Sequence, residues 1–298
     1  MEDLSALTAA VIGGDKRNIY LYKLLAERGA AVRCRGFDLY EAELINEARN
    51  LYEAVSGADI IIGGTPAADA GGALNMPFSS RTETADSLFR LIKPGQLFFG
   101  GFLREETIRL AEKYGVKYRD LLRREDLAIL NAIPTAEGVA RLCIENTDAT
   151  LHEAKILVIG YGRCGKAICG IMRGFGADLR AAARGAEEAA AARLCGVRPV
   201  SLENEELARA DIIINTAPAR VITRRNAKHI RRSALIVDVS SAPHGVDYGA
   251  AKARGLNVIF TGSLPGSTAP KTTALYNLEG ILRVIREQGQ EQGGAEGD

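Results

Sequence analysis

Ile156-Leu-Val-Ile-Gly160-Tyr-Gly162-Arg-Cys-Gly165 is the stretch whose reading decides the fold. Four apolar residues run straight into a G-x-G-x-x-G turn, and an apolar helical pattern from Ala167 to Phe175 follows. A strand that turns through glycines into a helix is the opening of a dinucleotide-binding βαβ unit. The first glycine permits the tight turn, the second lets backbone approach a pyrophosphate, and the third allows close helix–strand contact. The N–H groups at the helix N-terminus then face the phosphates. A purely structural glycine turn is the plainer alternative. The alternating elements on either side favour the nucleotide, so Gly160, Tyr161, Gly162, Arg163, Cys164 and Gly165 are the candidate cofactor residues.

Outward from this turn, the next strand, Ala177 to Ala183, selects the dinucleotide. An acidic residue at its end would accept the ribose hydroxyls of NAD. This sequence has Ala182-Ala183-Arg184-Gly185 there, with no carboxylate before Glu187. Arg184 offers a guanidinium fork suited to a 2′-phosphate, so NADP is expected, with NAD possible; decoration of a surface turn is the bland reading of the same residue. Asn215-Thr216-Ala217-Pro218 follows a later strand, where a doubly wound sheet lines its crevice, and these four are read as bordering the nicotinamide ribose or as a simple strand-to-loop transition.

Ala210-Asp-Ile-Ile-Ile-Asn215-Thr-Ala-Pro218 nearly copies Ala58-Asp-Ile-Ile-Ile-Gly63-Gly-Thr-Pro66. Ala9-Ala-Val-Ile-Gly13-Gly14 likewise answers the strand at 156. The strands near 97 and 116 are answered by Leu235–Val239 and Leu256–Phe260. Strands alternating with helix-length segments predict parallel sheets covered by helices, and the repetition predicts two related units. The expected fold is α/β, with two Rossmann-like doubly wound parallel-sheet domains joined by long helices. Residues 1–133 are read as the substrate-side domain and 134–271 as the NADP-binding domain. A joining helix is expected to start after Pro134, which presets its first turn. A second, 272–287, has Leu275, Leu278, Ile281, Leu282 and Ile285 on one face and is expected to pack back on the first domain. The Gly- and Gln-rich tail, 288–298, is expected to be disordered.

Composition excludes other classes. The 298 residues suggest about two domains. They carry 38 Lys+Arg against 37 Asp+Glu, a balance that argues against a nucleic-acid binder. No uninterrupted apolar run approaches the roughly 18 residues of a membrane span, and Glu2 and Asp3 stand where a secretory signal has its basic region. Five scattered cysteines (Cys34, Cys143, Cys164, Cys169, Cys195) read as reduced thiols of a cytoplasmic protein. Neither they nor His152, His229 and His244 show zinc spacing, so no metal is expected.

The first half keeps a glycine turn of its own, Gly13-Gly14-Asp15-Lys16-Arg17, without the third glycine and with a carboxylate where a phosphate would sit. It is therefore read as the substrate side. Gly14, Asp15 and Arg17 are candidate substrate contacts, Arg17 for its bidentate fit to a carboxylate; a solvated helix residue is the alternative. Asn131-Ala-Ile-Pro134-Thr135-Ala-Glu137-Gly138 is expected at a helix start, where Thr135 and Glu137 are catalytic candidates or plain helix caps. Gly262–Thr272 reads as a long loop; Pro265 and Gly266 are candidate substrate contacts. Lys271 is a catalytic candidate, because a cation at a helix start carries a cost that a bound anion relieves. His244 reads as a surface-loop histidine or an acid–base group.

Taken together, Val11-Ile-Gly-Gly-Asp-x-Arg17, Asn131-x-Ile-Pro-Thr-x-Glu-Gly138, Gly160-x-Gly-x-x-Gly165, Ile214-Asn-Thr-x-Pro218 and Leu264-Pro-Gly-x-x-Ala-Pro-Lys-Thr272 resemble the motifs of the dipicolinate synthase A-subunit family. The resemblance covers about residues 9 to 285. It implies an NADP-linked oxidation of dihydrodipicolinate to dipicolinate, the pyridine dicarboxylate of bacterial endospores, in the mother cell. It also implies a partner, the flavoprotein-like B subunit of dipicolinate synthase; a homo-oligomer is possible. In this chain His244 stands where the family pattern has glycine, and the stretch 64–86 carries no family motif, so no residue is transferred from it. Two other readings stay open: an NADP-dependent hydroxy or amino acid dehydrogenase of similar architecture, and a non-catalytic NADP-binding regulatory chain of a two-subunit complex.

Overall fold

The computed structural model describes residues 2–40 and 46–294. The chain divides into two compact units, Met1–Ala128 with Ala269–Asp298, and Ile129–Thr268. Unit 1 holds strands β1 (Thr8–Ile12), β2 (Ala31–Arg35), β3 (Ile60–Ile62), β4 (Leu97–Gly100) and β5 (Lys117–Asp120), all parallel, in the order β2-β1-β3-β4-β5. Parallel neighbours need crossovers. Here these are carried by α1 (Lys16–Glu27), α2 (Leu51–Val55), α3 (Ala85–Phe89) and α4 (Glu105–Lys113). After α5 (Glu125–Glu145), unit 2 holds β6 (Lys155–Ile159), β7 (Asp178–Ala182), β8 (Arg198–Val200), β9 (Ile212–Asn215), β10 (Leu235–Asp238) and β11 (Asn257–Phe260). Their order is β11-β10-β9-β6-β7-β8, again all parallel. Numbered within the unit, this is the six-stranded dinucleotide-binding order, with its switch point between β6 and β9. The crossovers include α6 (Arg163–Gly174), α7 (Ala186–Leu194), α8 (Asn204–Arg209) and α9 (Tyr248–Arg254). The chain ends with α10 (Leu264–Thr268) and α11 (Pro270–Gly294), of which α11 belongs to unit 1 and packs along α1.

The sequence repeat is a repeat of hydrogen bonds. Asp59 Oδ2 accepts the N–H of Thr8, which opens β1, at 2.7 Å, and Asp211 Oδ2 accepts that of Lys155, which opens β6, at 2.8 Å. Each aspartate also donates its own N–H to the carbonyl of that same residue. The aspartate at the foot of β3 or β9 thus pins the start of the central strand in both units. The three isoleucines that follow are buried in each. Strands buried on both faces need such unbroken β-branched runs.

Two expected boundaries move. The joining helix begins at Glu125, not after Pro134, and Pro134 lies inside it. Glu125 and Asp126 sit in its first turn, where carboxylates suit the dipole, and the Thr135 hydroxyl donates to the Asn131 carbonyl at 2.8 Å beside the bond that proline cannot make. Thr135 and Glu137 are therefore mid-helix residues, not caps. By length and composition α5 could cross a membrane, although its apolar run is broken in sequence by Asn131, Pro134 and Glu137. Its Ala136, Val139, Ala140 and Cys143 instead belong to the core of unit 2. At the other end, α11 continues through 288–294, where the tail is expected to be disordered; 295–298 lie outside the described residues. The expected loop 262–272 is mostly helical, formed by α10 and the start of α11.

Asp211 makes the repeat testable. Burial works to raise its carboxyl, but the Lys155 N–H and the Arg231 guanidinium outweigh that and hold it below the ordinary carboxylate range. Asp211→Ala removes these bonds and is expected to lower the Tm by about 2–4 °C at neutral pH. A group with a depressed folded pKa stabilises above its unfolded value, about 3.9, and loses that contribution as pH falls through the lower folded one. The Tm gap between wild type and variant should therefore close at acid pH; a gap that persists unchanged there contradicts the assignment.

Candidate functional site

Strand β6 delivers Gly160 to the carboxyl edge of unit 2 at its switch point, and α6 starts three residues later. Gly160 has φ +92°, a left-handed conformation that costs a residue with a Cβ. A Cβ at Gly165 would stand 2.2 Å from the Gly160 carbonyl oxygen, so helix and strand approach as closely as they do only with glycine there. A Cβ at Gly162 would meet nothing within 4 Å. Gly162 caps α6 with no side-chain hydrogen bond, leaving the helix N-terminus open to an anion. The turn thus fits a pyrophosphate on geometry: tight where helix must meet strand, open where a ligand must approach. Gly162 and Arg163 are exposed.

The other candidates of this unit separate into two groups. Arg184 lies just past β7, its backbone N–H bonded to Glu188 at 2.9 Å, so its place is set by the turn that opens α7. The Thr216 hydroxyl donates to the Ile159 carbonyl at 2.9 Å and touches the space above Gly160; Ala217 is buried and Pro218 exposed beside it. Tyr161 points into the core with 1% of its surface exposed, so only its backbone faces the turn. Burial pushes the Cys164 thiol up against the pull of Arg163, which keeps it a neutral thiol.

Asn215 departs from expectation. Its side chain is fully buried and turns inward, donating to the Ala217 carbonyl at 3.1 Å and to Asp238 Oδ1 at 2.9 Å while accepting from the Ala217 N–H. It offers no side-chain atom to a ribose. Its partner Asp238 is a residue that sequence reasoning missed. This fully buried carboxylate ends β10, paired in register with Asn215. It also accepts from the Ser240 N–H (3.1 Å) and hydroxyl (2.7 Å), the Gly245 N–H (3.1 Å) and the Tyr248 hydroxyl (3.1 Å). Burial works to raise its carboxyl, but these donors, led by Ser240 and Asn215, hold it below the ordinary range. The signal in the sequence was a lone carboxylate closing an otherwise apolar strand, Leu235-Ile-Val-Asp238. His244, in the loop above, has φ +67°, which accounts for glycine in the family pattern; its Nδ1 lies 3.0 Å from the Ser240 carbonyl and its ring packs edge-on against Phe260.

In unit 1 the corresponding turn is occupied by the chain itself. The Gly14 N–H donates to the Asn75 carbonyl at 2.6 Å, and Met76 packs against Gly13 and Gly36. Asp15 caps α1 through the Arg17 N–H. The segment 64–86 is thus a plug over the glycine turn. It is held from behind by Arg35 on Glu83 at 2.9 Å. Arg17 is only 4% exposed; its Nε and Nη2 grip the Asp15 carboxylate at 2.9 and 2.8 Å, and Nη2 also reaches the Thr65 carbonyl. The sequence reads it as offered to a substrate carboxylate; in the fold, its Nε–Nη2 edge is taken by Asp15.

The remaining candidates lie on helices. Thr135 is half-buried and bonded within α5, and Glu137 is exposed on the same helix. Within unit 2 the segment Asn131–Gly138 meets α10: a Cβ on Gly138 would stand 2.5 Å from Thr268 Oγ1. Pro265 is half-buried and Gly266 buried in α10, and Lys271 is exposed in the first turn of α11. A cavity of about 690 Å³, lined in part by Asp148, Asp211 and Arg232, opens at the amino ends of the strands, away from the edge where this fold binds ligands. Among the described residues no cluster of His, Cys, Asp or Glu could hold a metal ion.

Comparison with known proteins points the same way. Residues 8–122 match the family described as the N-terminal domain of the dipicolinate synthase A subunit. The resemblance to that A subunit extends over almost the whole chain. The chain is 29% identical to the dipicolinate synthase A subunit of Bacillus subtilis (strain 168) over 97% of this chain and 99% of the relative. The crystal structure of the A chain of dipicolinate synthase from Bacillus subtilis superposes with a TM-score of 0.87 at 28% identity, covering 97% of this chain and 99% of that one. Its counterpart from Bacillus halodurans gives 0.87 at 26%, covering 95% and 99%. Residues 142–246, which contain the turn, match the family described as D-isomer specific 2-hydroxyacid dehydrogenase, NAD binding domain. A nicotinamide nucleotide and an oxidoreductase are therefore supported for unit 2.

Gly162 and Gly165, two of the turn's three glycines, are expected to respond differently to a methyl group. Gly165→Ala must push α6 from β6 and should cost about 1–3 kcal/mol of stability together with nucleotide binding. Gly162→Ala meets no protein atom, so it should leave the Tm within about 1 °C while weakening nucleotide binding. Retained affinity in Gly162→Ala, read by titration calorimetry, contradicts a phosphate at this turn.

Proposed function

We propose that this chain is the A subunit of a dipicolinate synthase and oxidises dihydrodipicolinate to dipicolinate with NADP, in the mother-cell cytoplasm of a sporulating bacterium. The observation that carries this reading is the glycine N-cap of α6, with open space at Gly162 and close helix–strand approach at Gly165, in Gly160-x-Gly162-x-x-Gly165. It stands in a chain similar over 97% of its length to the dipicolinate synthase A subunit of Bacillus subtilis. That relative is named as one subunit of its enzyme, which supports a further subunit as partner; we propose the flavoprotein-like B subunit for it.

The nicotinamide ring, when bound, accepts a hydride. The chain's own groups have simpler duties. The α6 N-terminus and the backbone of 160–165 hold the pyrophosphate, and Arg184 binds the 2′-phosphate as a charge-assisted pair. Aromatisation of a dihydropyridine releases one hydride and one proton, and the gain of aromaticity supplies much of the drive, so positioning dominates the protein's share. The two substrate carboxylates call for cations. Lys271 is exposed and its ammonium opposes the α11 dipole, a cost that an anion relieves. Arg17 serves if Asp15 yields it; Gly14, Pro265 and Gly266 are proposed to lie against the substrate ring without donating to it, since the Gly14 and Gly266 N–H groups are bonded to Asn75 and Ser263 and proline has none. Glu137 is the proposed proton acceptor; Thr135, two residues earlier on α5 and so on another face of the helix, is a separate proposed contact. The match of 142–246 to a 2-hydroxyacid dehydrogenase domain favours a second reading, oxidation of a hydroxy acid.

The deciding assay mixes the chain with NADP and freshly generated dihydrodipicolinate, with and without the B subunit. NADPH and pyridine absorbance are expected to rise together; no NADPH under either condition overturns the reading, and turnover of a 2-hydroxy acid instead selects the second. Arg184→Ala should weaken NADP about tenfold or more and NAD by less than about twofold. Equal losses for the two nucleotides remove Arg184 from the 2′-phosphate.

A further inference from the structure

The two units carry the same strand register at their carboxyl edges and differ in what stands there. In unit 1, β3 and β4 run Ile60–Ile62 beside Leu97–Phe99, and the next residues on each strand are Gly63 and Gly100. In unit 2, β9 and β10 run Ile212–Ile214 beside Leu235–Val237, and the next pair is Asn215 and Asp238. Side chains at Gly63 and Gly100 would collide with Phe98 and Leu103. One copy of the repeat therefore closes this corner with hydrocarbon. The other places an amide and a carboxylate there, out of reach of water. The architecture itself does not require a buried charge, and a buried charge is costly unless fully bonded.

Asp238 is fully bonded, and its donors show what it holds. Its five hydrogen bonds come from three places: Asn215 at the end of β9, Ser240 and Gly245 in the loop after β10, and Tyr248 at the start of α9. Gly245 packs so tightly that a Cβ would stand 1.9 Å from Asn215 Nδ2. Its carbonyl in turn accepts the N–H groups of Val221 and Ile222, from the loop after β9. One carboxylate thus joins the loops leaving β9 and β10 into a single rim. That rim flanks the switch point on the side away from Arg184 and β7. A dinucleotide with its pyrophosphate at 160–165 and its adenosine phosphate at Arg184 has only this rim left for its other half.

We infer that Asp238 is a positioning residue for the nicotinamide half of the nucleotide: it touches no ligand but fixes the β9 and β10 loops that do. This rests on the reading that unit 2 holds a nicotinamide nucleotide, and the test separates the two. Full-length wild type and Asp238→Asn are titrated with NADPH and with 2′,5′-ADP, which carries the adenosine half alone. The amide places a donor among five donors. NADPH affinity should fall about tenfold while 2′,5′-ADP stays within about twofold. Tyr248→Phe removes a single donor, keeps the fold if Asp238→Asn does not, and should show the same selectivity at about threefold. Equal losses for both ligands, or no loss for NADPH, overturn the positioning role. Wild type that binds neither ligand overturns the functional reading itself and this role with it.

Discussion

Helix α6 can begin where it does because no side chain stands between it and strand β6. The Gly165 α-carbon lies so near the Gly160 carbonyl that a methyl group would be 2.2 Å from the oxygen. That approach aims the helix N-terminus along the carboxyl edge of the sheet, with a glycine, which carries no capping side chain, at its N-cap. Everything proposed for unit 2 follows from it: a positive helix end at a switch point, beside an open glycine. Unit 1 shows the same chain geometry without that outcome. Its turn is capped by Asp15, bonded by Asn75 and packed by Met76, so the same architectural position is filled by protein.

The internal repeat works as a control on what belongs to the scaffold and what to the site. The aspartates Asp59 and Asp211 and the isoleucines after them are kept in both units, because each pins and buries a central parallel sheet. The residues at the carboxyl ends of β3, β4, β9 and β10 are not kept. Glycines packed by Phe98 in one unit are replaced by the Asn215–Asp238 pair in the other. Fold is carried by the strand interiors, and chemistry by the few residues that leave them.

The strands were legible because buried parallel strands are continuous apolar runs, and the turn was legible because three glycines at fixed spacing have few other uses. The start of α5 was not, since Pro134 is as good a signal for a first helical turn as the structure shows it to be tolerable in an interior. Helix through 288–294 was hidden by a composition with no apolar face to read. Arg17 and Asn215 were legible as polar residues near strand ends; Asp15 stands two residues from Arg17, but the pairing of Asp238 with Asn215 forms only across two strands. The plug at 64–86 was not read because its closest bond to the turn comes from a backbone carbonyl, which every residue has, and its Met76 and Glu83 contacts form only in the fold.

A crystal structure of the chain with NADPH bound is the most direct test. The pyrophosphate is expected within hydrogen-bond distance of the backbone N–H groups at the start of α6, with the 2′-phosphate at Arg184. A nucleotide seated anywhere else, with that helix end still facing water, contradicts the central claim.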